Sequence, residues 1–302
     1  MVVCGGFYKF VILKNVLKYY LNIIKMKNLK IDLKDLYEIA YDFLLSQKEV
    51  DEINIKKHFK PMSRPKDFKN IFKGFCGSAQ NKGMSDNVIG NSINGIENLG
   101  KVLYDFDPKL IVQNYSKEDN LLLLDRIIVT LKPYGKVRKT PRSLWPIYCR
   151  SIIEGAYFIT KFESPSDFYK TIDKFVEDNR VKYAFPLMMS SEIYGFGLAL
   201  ACDFIKELGY ENYGKPDTQL KNIFSSLGLI ETKNKQKIQV ELDVLKLIDE
   251  IAHINKVTPY QVDKIFWLIG SGMFSRTGIK VGSKRKQFIK MAKKYFKMDN
   301  KI

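Results

Sequence analysis

Histidine and closely spaced cysteine are what this chain most lacks. His58 and His253 are its only histidines, neither with a second histidine or a cysteine at ligand spacing, and its cysteines fall singly at Cys4, Cys76, Cys149 and Cys202. Zinc sites and disulfide frameworks need clustered ligands, so neither a metal site nor a disulfide scaffold is expected, and buried free thiols in a reducing compartment are. Long apolar runs are missing as well. Lys9, Lys14, Lys18 and Lys25 break up the apolar start of the chain, well short of the roughly 18 apolar residues that cross a bilayer. Without a compact apolar stretch and a small-residue cleavage site, residues 1–25 read as a peripheral basic amphipathic extension or an over-extended start before Met26, on which function does not depend. Acid is scarce too: 33 Asp and Glu stand against 50 Lys and Arg, a formal charge of +17. That imbalance predicts a polyanionic partner, nucleic acid ahead of an acidic membrane surface, and says nothing about fold.

What is present is the material of a folded core, 45% hydrophobic with 13% aromatic residues. Apolar residues recur at helical spacing, and Asp107-Pro108, Ser164-Pro165 and Thr258-Pro259 each read as a capping residue followed by a proline in the first helical turn. No stretch alternates with the period of a strand and no internal repeat is visible, so an all-α fold is expected. Periodicity predicts helices near 33–47, 108–115, 117–131, 143–162, 165–178, 183–192, 198–208, 218–227, 240–254, 259–269 and 284–297. Four segments follow: the extension 1–25, an N-terminal helical segment 26–105, a six-helix barrel 106–213, and a basic C-terminal helical lobe 214–302. Within 26–105, residues 61–100 are rich in Gly, Asn, Ser and Lys and read as shorter elements, with 76–85 as either a ligand-facing loop or an ordinary connector.

Two segments concentrate positive charge. Residues 132–150 carry Lys132, Lys136, Arg138, Lys139, Arg142 and Arg150 and no acid, with Trp145 and Tyr148 interleaved, and the tail from Val281 carries eight basic residues against Asp299. Either could follow a phosphate backbone, although a charge run also simply solvates a helix face. The most informative stretch lies between them. Tyr194-Gly195-Phe196-Gly197 separates two helices, so its backbone can approach another surface closely and the first amides of the second helix need acceptors that a phosphate can supply. Taken singly, Gly-x-Gly reads as a tight helix–helix turn and Asp217 as a helix N-cap.

Their joint register resembles the helix-hairpin-helix DNA glycosylase superfamily, the endonuclease III-like group. The family runs Leu-Pro-Gly-Val-Gly-x-Lys-Thr-Ala, then a helix, then Val-Asp-Thr-His-Val and finally Arg-Leu-Gly-Leu. Gly195, Gly197 and Ala201 match the hairpin, Asp217 and Thr218 the catalytic segment, and Leu227-Gly228-Leu229 the closing element, without a gap, over about residues 186–230. Tyr194 stands where the family has proline, Gln219 where it has histidine and Ser226 where it has arginine. Ala199, eighteen residues before Asp217, replaces the lysine nucleophile of lyase-competent members.

The resemblance implies two helical lobes with a helix-hairpin-helix element and an interlobe cleft, and an enzyme that excises a base from double-stranded DNA. Asp217 would be the carboxylate at the reacting sugar. Tyr194, Gly195, Phe196 and Gly197, with Lys136, Arg138, Lys139 and Arg142, would hold DNA. Trp145, Tyr148 and Tyr157 would form the base pocket, and Tyr194 is a further candidate to fill the gap left by the extruded base. With no amine at position 199 excision would be hydrolytic, Lys182 and Lys215 being read as surface lysines. No cysteine follows Cys202, so the iron–sulfur cluster of some members, and any other cofactor, is expected to be absent. A monomer, cytoplasmic and nucleoid-associated, with no membrane partner, completes the reading. The alternatives are a helix-hairpin-helix DNA-binding protein without catalysis, in which Asp217 only caps a helix, and a basic helical protein at a membrane or protein interface.

Overall fold

Helices begin in this chain where a side-chain oxygen meets the first free amides. Asp107 accepts from Lys109 and Leu110, and Ser164 accepts from Asp167, each ahead of a proline in the first helical turn. Thr258 and Gln261 close a reciprocal capping box, Thr258 Oγ1 accepting from the Gln261 amide at 3.2 Å while Gln261 Oε1 accepts from the Thr258 amide at 3.0 Å.

The computed structural model describes residues 31–82 and 88–298, which are helical apart from one two-stranded hairpin. The extension 1–25 lies outside the described residues. In chain order the elements are α1 (Leu33–Leu45), α2 (Glu52–Phe59), α3 (Phe68–Ala79), α4 (Val88–Ser92), a 3-10 turn (Ile96–Lys101), α5 (Pro108–Asn114) and α6 (Asn120–Leu131). There follow α7 (Leu144–Ile159), α8 (Pro165–Val176), α9 (Ala184–Glu192), α10 (Leu198–Glu207), α11 (Thr218–Ser226), α12 (Lys237–Asn255), α13 (Pro259–Ser271) and α14 (Arg285–Tyr295). Between the last two, β1 (Met273–Phe274) pairs antiparallel with β2 (Ile279–Lys280). Among the described residues no helix is long and apolar enough to cross a membrane.

Two compact units result. The central unit holds residues 58–217 with 258–263; the terminal unit joins residues 31–57, 218–257 and 264–298, so the first described helix packs with the last ones. In the terminal unit α1 lies against α12 and α14, and α11 against α12 and α14. Rings carry that core: Phe43 and Phe266 meet Phe288 edge-on at 5.4 and 6.0 Å, and Phe224 meets Phe266 at 5.0 Å.

The central unit is organised around α7, which packs on α3, α5, α6 and α9 and buries residues on every side, including Ile152, Ile153, Ala156 and Ile159. Segment 76–85 is not a ligand-facing loop over the part described. Cys76, Ser78 and Ala79 are buried in α3, because Ile71, Phe72, Phe75, Cys76 and Ala79 form one apolar stripe that the glycines around them hide from a compositional reading. Cys76, Cys149 and Cys202 are buried free thiols, and burial pushes the Cys76 thiol far above its ordinary range.

Gly155 lets α3 and α7 approach: a Cβ there would lie 2.1 Å from Cε1 of Phe75, whose ring stacks on Phe72 and touches Phe196 and Phe204. Gly155→Ala is therefore expected to lose about 1–3 kcal/mol of stability despite alanine's better helix propensity. Urea unfolding measures this, and a neutral or stabilising result would refute the contact.

Candidate functional site

The turn between α9 and α10 is seated on α7 by polar contacts from Arg150, Ser151 and Glu154 of that helix. The Ile193 amide donates back to Met189 at 3.0 Å and the Phe196 amide to Ile193 at 3.1 Å, which bends the chain sharply through Gly195. Gly195 has a φ of +79°, and a Cβ on it would come within 2.6 Å of Ile147 Cγ2 and 3.0 Å of Ser151 Oγ. Both backbone conformation and space thus require glycine there. Ser151 Oγ donates to the Tyr194 carbonyl at 2.6 Å, and the Tyr194 amide donates to Glu154 Oε2. Glu154, itself buried, also accepts from Arg150 Nε at 2.7 Å. The Arg150 guanidinium in turn lies 4.3 Å from the centre of the Tyr194 ring, and the Lys82 ammonium 5.7 Å from it.

This arrangement leaves the Tyr194 ring half-exposed beneath two cations and fixes the start of α10. Gly197 stands at the N-cap position without a capping side chain, so the amides of Leu198 and Ala199 have no acceptor within the helix; Leu198 is buried, whereas Ala199 is part-exposed. Phe196, expected at the DNA surface, is instead a core residue: it is 1% exposed, packs 4.5 Å from Phe75, and its amide is spent on Ile193. Lys136, Arg138, Lys139 and Arg142 are all exposed on residues 132–143, which lead into α7. Lys139 pairs with Asp125 at 2.5 Å, while Ser143 Oγ braces the segment by donating to the Arg138 carbonyl at 2.8 Å. Sequence reasoning missed Lys82, Ser151 and Glu154. The only local signal was the Arg150–Glu154 spacing, which marks two residues of one helix face but not the turn they receive.

Asp217 is partly exposed and immediately precedes α11, its amide donating to the Lys215 carbonyl at 2.8 Å. Lys215 is not a surface lysine: its ammonium reaches Asp203 of α10 at 3.0 Å, and Asp203 also accepts Lys206 at 3.3 Å, which pairs with the buried Asp263 at 2.7 Å. Burial pulls the pKa values of Lys206 and Lys215 down, but for Lys206 the carboxylates of Asp263 and Asp203, and for Lys215 those of Asp203 and Asp217, outweigh it, so both ammonium groups titrate above their ordinary range. Lys182 is likewise buried, at 3% exposure, and its carbonyl accepts from the Tyr213 hydroxyl at 2.7 Å. Solvation favours charged lysines outside, and here internal carboxylates replace that solvation for Lys206 and Lys215. The alternation of Lys and Asp around Asp217 gave no hint of it.

The expected base-pocket aromatics are mostly packing residues. Trp145 and Tyr148 are 6% and 2% exposed and meet edge-on, and the Tyr148 hydroxyl is spent on the Cys76 carbonyl at 3.0 Å. Tyr157 is part-buried, with its hydroxyl donating to the Tyr115 carbonyl at 3.0 Å. Gln219, at the family's histidine position, accepts from Arg285 Nη1 at 3.0 Å.

No family model matches the chain, and no curated protein matches it in sequence. Among solved structures, it is similar to the 8-oxoguanine glycosylase/lyase of Methanocaldococcus jannaschii in complex with a 15mer DNA containing 8-oxoguanine, at 14% identity over 83% of this chain and 96% of that chain, TM-score 0.46. It is also similar to the 8-oxoguanine DNA glycosylase of the same organism, at 13% identity over 80% and 94% of the two chains, TM-score 0.47.

Gly135 gives a control for the turn, since it too has a positive φ, +81°, yet nothing lies within 4 Å of its Cβ position. Gly135→Ala should cost about 1 kcal/mol of backbone strain, and Gly195→Ala about 1–3 kcal/mol more because the turn must also leave its seat. Equal losses in urea unfolding would show that the turn is not held as described.

Proposed function

We propose that the chain is a DNA N-glycosylase that hydrolyses the bond between the sugar and a damaged or mismatched base, with Asp217 at the reacting sugar and the turn 193–197 gripping the backbone of double-stranded DNA. The observation that carries this reading is a mechanical link. The uncapped turn opens α10, and Asp203, about 8 Å further along that helix, holds Lys215 at 3.0 Å, two residues before Asp217. One short helix therefore connects a backbone-binding bend to an acidic side chain, in the same order and spacing as the helix-hairpin-helix glycosylase motif.

Cleavage of an N-glycosidic bond develops positive charge on the sugar. A carboxylate beneath the ring stabilises that charge and orients the attacking water, whose hydroxyl ends on C1′ while the base departs with a proton. Asp217 sits at the start of α11, where the helix dipole favours negative charge, and the part-buried Lys215 ammonium lies within its electrostatic reach. DNA is held without base readout at the part-exposed start of α10 around Ala199, with Lys136, Arg138 and Arg142 as further phosphate contacts. Tyr194 is the exposed aromatic beside that grip and fills the gap left by the extruded nucleotide. Position 199 is alanine, and the ammonium groups of Lys206 and Lys215 are tied to carboxylates with raised pKa values, so neither offers a free amine and the reaction is hydrolytic.

Duplexes carrying uracil, hypoxanthine, oxidised guanine, alkylated purines and mismatches, developed with alkali, test the activity. Asp217→Asn should lower excision by at least about a hundredfold while leaving duplex affinity intact or raised. A comparable loss of binding or folding, or wild-type binding with no excision of any base, removes Asp217 from the chemistry. Borohydride added during turnover should trap no protein–DNA adduct; a trapped band would assign a lysine nucleophile.

A further inference from the structure

The terminal unit carries a second concentration of positive charge that the proposed reaction does not use. Lys286, Lys290, Lys293, Lys294 and Lys297 of α14 and the turn after it, with Ser226 at the end of α11, Ile289 and Met298, line a groove of about 850 Å³. Lys286, Lys290 and Lys293 follow each other at four- and three-residue steps, so they form one stripe on the side opposite Phe288 and Ala292, which are buried, and Lys297 joins the groove from the turn after the helix.

Helix stability does not account for the stripe. Lys286 sits in the first turn, at the positive end of the helix dipole, where no acidic residue and no capping side chain offsets it, while Lys293 and Lys294 lie in the last turn, where the dipole favours cations. Lys286 and Lys290, and Lys290 and Lys294, are like charges four residues apart, which destabilise a helix. Lys56, Lys69 and Lys139 are neutralised by Glu52, Asp105 and Asp125, while other exposed lysines, among them Lys101, Lys109 and Lys170, pair with no carboxylate among the described residues; what sets the groove apart is that five such lysines line one concavity. None of the five groove lysines pairs with a carboxylate among the described residues. A stripe that costs its own helix stability and is left without counter-charges is explained by an external anion. From Lys286 to Lys294 it runs about 12 Å, past several phosphates of one strand, which follow each other every ~3.4 Å of duplex axis.

We infer that this groove takes the sugar-phosphate backbone of a nucleic-acid strand, a second backbone contact in addition to that of the turn 193–197. A groove suits a strand better than a membrane, because its charges line a concavity whose apolar members, Ile289 and Met298, are part-buried and have no exposed apolar ring or chain to insert into lipid. The inference builds on the DNA-binding reading above but is separable from it, since it is measured on duplex without any altered base.

The test is the salt dependence of binding to an undamaged, fluorescently labelled 20-mer duplex. Lys290→Gln/Lys293→Gln/Lys297→Gln should make the slope of log K against log salt less negative by about 2–3, with a roughly tenfold or larger affinity loss at 100 mM salt. The same charge change at three exposed lysines elsewhere, Lys101→Gln/Lys109→Gln/Lys170→Gln, should leave the slope as it is, and the arginine triple at 290, 293 and 297 should keep it near the starting value. Glutamine and arginine are good helix formers, and circular dichroism checks that α14 persists. An unchanged slope, equal changes in both glutamine triples, or loss of binding to phosphatidylglycerol vesicles with the duplex slope preserved would overturn the inference. If instead Asp217→Asn excises normally while the groove triple alters the slope, only the catalytic reading fails.

Discussion

Glu154 is a carboxylate 6% exposed in the middle of the most deeply buried helix, and much of the central unit depends on how it is satisfied. Taking such a charge out of water costs several kcal/mol unless both oxygens find donors. One receives the Arg150 guanidinium and the other the Tyr194 amide. The second donor is not a side chain but the backbone of a turn, so meeting the electrostatic requirement also fixes where the turn lies. Ser151 adds a bond to the carbonyl of the same residue, and Gly195 supplies the close fit that any larger residue would prevent. A buried charge thus gives conformational specificity to a segment that would otherwise be an ordinary loop.

The same principle operates a few residues later. Lys206, Lys215, Asp203 and Asp263 form a buried chain of alternating charge, each carboxylate facing at least one ammonium. Its value lies in the geometry it imposes rather than in net stability, since buried ion pairs roughly offset their own desolvation. Asp203 belongs to the helix that starts at the turn, and Lys215 belongs to the segment that ends at Asp217, so the cluster couples the two parts of the candidate site through rigid elements. The bend and the acid are therefore positioned by two polar networks on either end of one helix.

Much of this was legible in the sequence, and the rest was not for identifiable reasons. Helices from Pro108 onward were readable from their apolar stripes, reinforced at Asp107-Pro108, Ser164-Pro165 and Thr258-Pro259 by a capping residue followed by proline. Helix α3 was not, because Gly74, Gly77 and Ser78 signal a loop, and only the packing of Phe75 against Gly155 explains why small residues are needed there. Joining α1 to α12 and α14 is a long-range event with no local signature. In the candidate site, glycine spacing and Asp217 were visible in the one-dimensional register, whereas Glu154 and Ser151 act across forty or more residues. The lysines at 182 and 215 misled for a simpler reason: composition places lysine outside, and only three-dimensional neighbours can reverse that.

The charge of the whole chain then separates into classes that a net figure of +17 conceals. Lys206 and Lys215 are internal and matched by carboxylates; they organise the fold and contribute nothing to an external field at short range. Lys56, Lys69 and Lys139 are external and matched, worth a few tenths of a kcal/mol each. Lys136, Arg138 and Arg142 are external, on the segment that leads into the helix seating the turn, and no carboxylate among the described residues pairs with them. Unmatched cations also occur singly elsewhere, as at Lys101, Lys109 and Lys170, but residues 132–143 and the groove of α14 each hold several within a short stretch. Even spreading would minimise self-repulsion, so their concentration is a cost to the isolated protein, and it is removed only when a multiply charged anion lies against them.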